Sequence, residues 1–521
     1  MRNSTIASAV AAAIAAAVTS SAFAYTGEPT AQTNAAAVPA TNVFYMGGSS
    51  AAVSGIGSGI GADFCGSGNL ITFQTIPARQ PAAFNASTPF TNQGTPDFRA
   101  FYCPSVTKTG LTVSGQAILI YYRADGGSVV GAYGALNNKS INELDLTTAW
   151  CTADSTASTN TTYDCATSNN TPTTGSPPTG TQLVIGTNQG AGQVGTTDGY
   201  TGAVQKVGLQ VGVSDEEPGV YGNGTGSPKW AGGGHDDPLK TSGLGAPYPY
   251  TFLGSDAPSA TLQNMPHTLF AQQSMGFIAS AALGITDITS AQAASILNGN
   301  LTDWGAVHNA AGNPVAAAST PIALCNRDLG SGTRSGAGII FDGDGCNPNG
   351  NASSILDNNP TSDNFSTPDE ILCVNNNAAG TAFGYVSTDN NSKLGSGKTY
   401  TGAVALTLDG RTASNLLSAR GGWPYVVESS VQAATNGYGS GVNATNAASF
   451  FTYFIQNIGT LSDAPQSPQI NALPNLSGNS PNTAGAALQS HGSTPVYVTD
   501  FVRTADQKGN SCNGLSAAYQ E

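Results

Sequence analysis

The sequence predicts an α/β protein built from two lobes. An apolar run at 321–325 is followed by a glycine-rich turn and by a second apolar run at 335–341, the pattern of strand, tight turn and helix. Upstream, Thr289 or Ser290 is expected to cap a short helix through Leu297, with Gly299 supplying the stop. This alternation of helix and strand favours a sheet covered by helices, with any ligand at the carboxyl ends of the strands.

The turn of this junction carries the groups of an anion site. It reads Arg327-Asp328-Leu329-Gly330-Ser331-Gly332-Thr333. Glycine lets the backbone approach a ligand closely, and the free N–H groups of a first helical turn converge there. Ser331 and Thr333 add hydroxyl donors, and Arg327 adds a planar fork of N–H donors that suits tetrahedral oxyanions. The alternative is an ordinary surface turn in a glycine-rich chain.

The first 24 residues have the pattern of a cleavable secretory signal. Arg2 precedes an apolar run over 6–18, and Ala22-Phe23-Ala24 offers a small-residue cleavage site, so cleavage is expected before Tyr25. No later segment has the roughly 20 uninterrupted apolar residues of a membrane span. We therefore expect a mature protein without a membrane span, located in the periplasm, secreted or at the cell surface.

Composition allows real cores and excludes one class of partner. Of the 521 residues, 39% are hydrophobic and only 9% are charged, so solubility rests on neutral polar groups. The net charge of -14 and the lack of any basic run disfavour nucleic-acid binding. An acidic chain can still hold an anion, because local N–H dipoles and one arginine act at short range while salt screens distant charges.

The cysteines of an exported chain indicate disulfides rather than catalysis. The eight are Cys65, Cys103, Cys151, Cys165, Cys325, Cys346, Cys373 and Cys512. Pairing of Cys65 with Cys103 and of Cys151 with Cys165 would close local loops. The sequence leaves the pairing open.

Together with other short motifs, the junction resembles the PstS-like phosphate-binding proteins, the extracytoplasmic receptors of phosphate ABC transporters. In the family's order, the other motifs are Gly47-Gly48-Ser49-Ser50, Gly127-Ser128, Val213-Ser214-Asp215, Leu301-Thr302-Asp303-Trp304, Phe383-Gly384-Tyr385-Val386-Ser387, Leu408-Asp409-Gly410 and Gly422-Trp423-Pro424-Tyr425. The resemblance implies a two-lobed type II periplasmic-binding-protein fold, here with an elaborated, disulfide-stapled first lobe. One departure is that the family commonly has Arg-x-Asp-Gly-Ser-Gly-Thr, whereas Asp328 stands one position early and Leu329 takes its place.

The resemblance also implies a ligand, inorganic phosphate, bound in a cleft between the lobes. The implied ligand-binding residues are Ser50, Ser128, Asp215, Arg327, Ser331, Gly332 and Thr333. Asp256 is a rival of Asp215, which we prefer because an alternating apolar strand leads directly into it. We expect a monomer without cofactor or metal, with an ABC transporter permease as its partner.

The expected organisation combines these signals. It consists of a signal peptide (1–24), a disordered leader rich in Ala, Thr and Pro (25–41), lobe 1 (42–265), lobe 2 (266–420) and a return to lobe 1 (421–521). Lobe 1 contains a low-complexity insertion at about 137–200, which we expect to lack its own core and to be stapled by Cys151 and Cys165. Aromatic residues at helical spacing predict a core-packing helix over 445–458.

Other chemistry has weaker support. His235, His267, His308 and His491 are the only histidines, and none lies in a recognisable catalytic context, so we expect no enzyme. His235-Asp236-Asp237 and Asp342-Gly343-Asp344-Gly345 offer oxygen ligands, but both are better interpreted as solvated loops. The alternative function is that of a secreted or cell-surface structural or matrix protein built on a phosphate-binding-protein-like core.

Overall fold

The computed structural model describes most of the segments that carry the predicted motifs. The described residues are 30–66, 68–75, 98–124, 127–137, 140–147, 149–153, 162–166, 204–216, 218, 265, 267–309, 311–327, 331–341, 362–364, 367–413, 417, 423–434, 437–439, 441–457, 472–474, 487–491 and 494–497. The predicted signal peptide, Asp256, the predicted solvated loops at 235–237 and 342–345, and the motif position Asp328 lie outside them.

Strands dominate the described residues. In chain order they are β1 (Val43–Gly48), β2 (Ile71–Thr75), β3 (Phe98–Cys103), β4 (Ile118–Arg123), β5 (Ser140–Leu144), β6 (Trp150–Ala153), β7 (Thr162–Ala166), β8 (Val204–Gly208), β9 (Val211–Ser214), β10 (Thr268–Ser280), β11 (Asp287–Ile288), β12 (Ala323–Arg327), β13 (Ser362–Asn364), β14 (Ala382–Ser387), β15 (Ala403–Ala405), β16 (Thr407–Leu408), β17 (Val426–Ala433), β18 (Ala472–Pro474), β19 (Ala487–His491) and β20 (Thr494–Tyr497).

Helices follow several of these strands directly. They are α1 (Thr30–Ala36), α2 (Val53–Ile60), α3 (Gly127–Asn137), α4 (Ser290–Leu297), α5 (Gly332–Phe341), α6 (Thr367–Asn375) and α7 (Gly441–Asn457). Thr289 caps α4 through a capping box with Gln292, and Gly299 follows the helix with a φ of 69°, so both predicted ends of this helix are confirmed. Among the described helices, none is long and apolar enough to cross a membrane.

One large sheet connects two halves of the molecule. Its strand order is β13-β12-β14-β10-β17-β9-β1-β4-β3-β2-β7-β6, with β15 and β18 also paired to β10. β10 pairs with β17 over Thr268–Ser274 and with β14 over Met275–Ala279. In turn, β17 pairs with β9 over Ser430–Ala433. The sheet therefore joins a first half, containing β1 to β4, β6, β7 and β9, to a second half, containing β12 to β14, through β10 and β17.

Each half buries apolar residues around its part of the sheet. In the first half, Phe44 of β1 stacks on Phe450 of α7 with ring centroids 4.9 Å apart. In the second half, Phe277, Trp304 and Phe383 belong to one buried cluster. The predicted core role of the 445–458 segment is confirmed over its described part, and the architecture is α/β, with two halves joined through β10 and β17. The predicted lobe boundaries stay predictions.

Three disulfides are present among the described residues. Cys65–Cys103 and Cys151–Cys165 confirm the two local pairs. Cys325–Cys373, with a sequence separation of 48, ties β12 to α6 and was not predicted. It escaped prediction because no local loop marks it.

One expectation about the leader at 25–41 needs correction. The described part of the leader is not disordered, since Thr30–Ala36 form α1 and the buried Gln32 amide donates to the carbonyl oxygens of Leu146 and Ala149 at 2.9 and 2.7 Å. From composition alone, we expected too few contacts to offset the entropy cost of ordering this segment. These hydrogen bonds and the burial of Ala35 offset that cost. In the described part of the insertion, β6 and β7 extend the main sheet and pair across Cys151 and Cys165, so the predicted disulfide staple of the insertion is confirmed.

Three glycines let helix α3 lie directly on the sheet. A β-carbon on Gly131 of α3 would lie 2.2 Å from the Val213 carbonyl oxygen, and one on Gly212 would lie 2.0 Å from the Gly131 carbonyl oxygen. Gly48 has a φ of 134°, and its β-carbon would lie 1.8 Å from the same Val213 oxygen. At these positions the backbone of α3 lies directly against the backbones of β1 and β9, with no side chain between them. No residue other than glycine fits there.

Candidate functional site

The site lies where strands from both halves end. Ser49 and Ser50 follow β1, and Asp215 follows β9, in the first half. Arg327 is the last residue of β12, in the second half. Ser128 lies in the first turn of α3, and Thr333 in the first turn of α5. Because adjacent parallel strands end at one edge of a sheet, this topology gathers polar side chains that are far apart in sequence.

Asp215 is the centre of the first group of contacts. Its carboxylate accepts hydrogen bonds from the Ser49 hydroxyl and, at 3.5 Å, from the Thr333 hydroxyl. Its backbone N–H donates to Ser128 Oγ at 2.8 Å. Ser49 and Ser128 belong to the first half and Thr333 to the second, and all are buried. The carboxylate of Asp215 therefore connects the two halves.

Arg327 is the centre of the second group. Its Nη2 donates to Ser50 Oγ at 3.1 Å and its Nη1 donates to Thr367 Oγ1 at 3.2 Å. Ser50 lies in the first half, whereas Thr367 begins α6 of the second half. Arg327 is only 1% exposed, and burying a guanidinium is costly unless it is paired and hydrogen-bonded. Glu370, one turn after Thr367, supplies the opposite charge, with Oε2 3.8 Å from Arg327 Nε.

Surrounding groups hold both centres in place. The hydroxyl of Tyr122 donates to the Ser49 carbonyl oxygen at 2.7 Å, and the hydroxyl of Tyr425 donates to the Thr333 carbonyl oxygen at 2.8 Å. Arg334 Nη1 donates to the Arg327 carbonyl oxygen at 2.8 Å. The turns that carry the polar side chains are thus fixed by hydrogen bonds from large buried residues, so the side chains are preorganised.

The charge state of Asp215 is set by opposing effects. Burial raises the pKa of this carboxyl above its ordinary value, since a charged carboxylate is poorly solvated there. The hydrogen bond from Ser49, the positive charge of Arg327 and the hydroxyls of Ser128 and Thr333 lower the pKa and limit the rise. The side chain can consequently change between donor and acceptor as it titrates.

The structure brings most of the predicted residues together. Ser50, Ser128, Asp215, Arg327 and Thr333 lie in the two groups just described. Gly332 begins α5. Ser331 is buried, but its hydroxyl accepts from the Arg334 N–H at 3.4 Å and so caps its own helix. Their role in binding a ligand stays a prediction.

Sequence reasoning missed four residues near these centres. They are Ser49, Thr367, Glu370 and Arg334. For two of them a signal existed, because Thr367-Pro368-Asp369-Glu370 is a helix-start pattern with proline at the first turn. Nothing local places that start beside Arg327, 40 residues earlier. The contact depends on parallel pairing of β12 with β14 and on the Cys325–Cys373 disulfide.

Similarity to known proteins is confined to solved structures. No protein-family model matches the chain, and no curated protein matches it. PstS from Borrelia burgdorferi is 17% identical with a TM-score of 0.28, and covers 42% of this chain and 76% of its own. An ABC-type phosphate transport receptor from Vibrio cholerae is 18% identical with a TM-score of 0.27, and covers 39% and 70%. A phosphate-binding protein from Stenotrophomonas maltophilia is 12% identical with a TM-score of 0.30, and covers 49% and 70%.

These values are too low to identify the ligand of this chain. What the chain's own topology and contacts define is a two-lobed α/β protein with a buried polar cluster between its halves. The similarity to these three solved structures covers less than half of the chain.

Proposed function

We propose that this protein is an exported solute-binding protein that captures inorganic phosphate between its halves. The observation that carries the proposal is a pair of buried hydrogen bonds across the two halves, from Arg327 to Ser50 and from Thr333 to Asp215, close enough together for the charge of Arg327 to act on the Asp215 carboxyl. An arginine fork and several hydroxyls are the donors that suit a tetrahedral oxyanion. An ABC transporter permease is the partner that such a receptor would serve, and the predicted signal sequence at 1–24 supports an exported location.

A carboxylate inside an anion site supports phosphate over sulfate. Hydrogen phosphate carries a proton and can donate it in a hydrogen bond to ionised Asp215. Fully ionised sulfate cannot, so it would lose a buried hydrogen bond and face an uncompensated charge. In this role the carboxylate that accepts from Ser49 and Thr333 in the structure would accept from the ligand instead.

Replacement of the central arginine tests the proposal. Charge-assisted hydrogen bonds contribute roughly 1.5–3 kcal/mol each, so Arg327→Ala should weaken phosphate binding about ten-fold or more, measured by isothermal titration calorimetry. Arg411→Ala removes the same charge at an exposed position outside the cluster and should leave affinity unchanged.

The outcomes separate the candidate functions. Equal affinity of wild type and Arg327→Ala would remove Arg327 from the site. If the wild-type protein does not bind phosphate, the receptor function is wrong. The structural or matrix role of an exported protein is then the better explanation of the low charge content.

A further inference from the structure

Thr367 is hydrogen-bonded to one of the two terminal nitrogens of the Arg327 guanidinium. Its Oγ1 accepts from Arg327 Nη1, while Ser50 Oγ accepts from Nη2, and the two oxygens lie 3.4 Å apart. The N–H of Thr367 donates to Ser50 Oγ at 3.3 Å. Two oxygens side by side at the outer edge of a guanidinium occupy the positions in which an oxyanion accepts two parallel hydrogen bonds. Each of these hydroxyls also has a proton that can be donated to a ligand oxygen.

Helix α6 is held firmly against the strand that carries Arg327. Glu370 lies one turn after Thr367, with Oε2 3.8 Å from Arg327 Nε, and its other oxygen accepts from the Tyr385 N–H at 2.7 Å. Cys373, a further turn along, is bonded to Cys325 of β12, two residues before Arg327. Glu370 and Cys373 therefore fix α6 to the Arg327 strand and to β14, and they define the position of Thr367, which is 2% exposed.

We propose that Thr367 is a ligand-contacting residue of the oxyanion site, donating its hydroxyl to the bound anion next to the Arg327 fork. The proposal rests on the proposed phosphate function and adds a contact from a helix that the strand-turn-helix motif does not include. Thr367 and Ser50 then contact the ligand from opposite halves, since Ser50 follows β1 and Thr367 begins α6.

Two variants at this position and one elsewhere test the contact. Thr367→Val keeps the side-chain shape but removes the hydroxyl, and should weaken binding of inorganic phosphate about ten-fold in calorimetry. Thr367→Ser restores a hydroxyl and should restore affinity to near the wild-type value. Thr388→Val is the matched control, since Thr388 is also buried and its hydroxyl donates to the Ser274 carbonyl oxygen at 3.1 Å, outside the cluster.

A double-variant comparison separates contact from positioning. If Thr367 touches the ligand itself, Thr367→Val weakens phosphate binding in the Arg327→Ala background as well, measured by phosphorus NMR, which follows weak binding. If Thr367 acts only by orienting Arg327, the substitution has no effect in that background, and the proposal is overturned. Wild-type affinity in Thr367→Val alone would also overturn it, while leaving the phosphate function intact. Only a wild-type protein that fails to bind phosphate would remove both.

Discussion

Asp215 combines deep burial with several hydrogen bonds, and this combination has a consequence for pH. Burial raises the pKa of the carboxyl, so the neutral form persists above the pH at which an exposed aspartic acid ionises. A neutral carboxyl has an O–H group and can donate to sulfate, whereas the ionised form can only accept. Discrimination against sulfate should therefore depend on the ionisation of this one side chain.

We expect the ratio of phosphate to sulfate affinity to rise as the pH is raised beyond the range in which an exposed aspartic acid ionises, because Asp215, whose pKa is raised by burial, loses its proton there. Competition calorimetry of the wild-type protein measures the ratio. In Asp215→Asn the amide can donate at every pH, so sulfate should bind better and the Asp215-dependent rise should disappear. Asp256→Asn tests the rival carboxylate. If only the latter variant changes selectivity, the assignment to Asp215 is wrong.

At the level of residues, the sequence predicted which polar side chains form the site better than it predicted which residues those side chains contact. Arg327, Thr333 and Asp215 could be found because each follows a recognisable strand or turn. The ion-pair partner of the buried Arg327 could not be found from the sequence, because Glu370 is brought to Arg327 by tertiary packing. In the structure the Ser331 hydroxyl accepts from the Arg334 N–H and caps α5, and its predicted role in ligand binding stays a prediction.

Among the elements, the third disulfide links stability to the site. Cys325–Cys373 joins the strand that ends at Arg327 to the helix that begins at Thr367. By loop entropy, replacing both cysteines with alanine should cost about 4 kcal/mol of unfolding free energy. We also expect weaker phosphate binding, because Thr367 and Glu370 would no longer be held beside Arg327. Urea denaturation and calorimetry measure the two effects.

The Cys151–Cys165 disulfide provides the matched control. It joins β6 to β7 at the far edge of the sheet and has a sequence separation of 14. Its replacement should cost about 3 kcal/mol without changing phosphate affinity. An equal loss of affinity in both double variants would mean that general destabilisation, and not the geometry of α6, weakens binding.

Elements with local signals could be predicted, and those fixed by distant pairing could not. The capping box of α4 and the aromatic face of α7 can be read from neighbouring residues. By contrast, β6 and β7 lie in Thr- and Asn-rich sequence and form because β2 offers an edge to pair with. Likewise, α1 is ordered because Gln32 finds carbonyl partners more than a hundred residues away.

At the scale of the whole molecule, β10 and β17 join the two halves within the sheet, and the polar cluster adds hydrogen bonds between the halves. A ligand that bridges the cluster binds the folded protein and not the unfolded chain. Phosphate at 100 times its dissociation constant should therefore raise the unfolding free energy by about 2.7 kcal/mol, seen as a higher melting temperature. Sulfate at the same concentration, at neutral pH, should have much less effect. An unchanged melting temperature in the presence of phosphate would contradict a bridging site.

The glycines under α3 limit how this protein could be redesigned. Ser128 reaches the backbone of Asp215 at 2.8 Å because Gly131, one turn later in the same helix, lies directly on Val213. Even one added methyl group at Gly131 or Gly212 would lift the helix and carry Ser128 away from its partner. A library that seeks a new ligand specificity can vary the hydroxyl side chains around Asp215, but it should leave these glycines untouched.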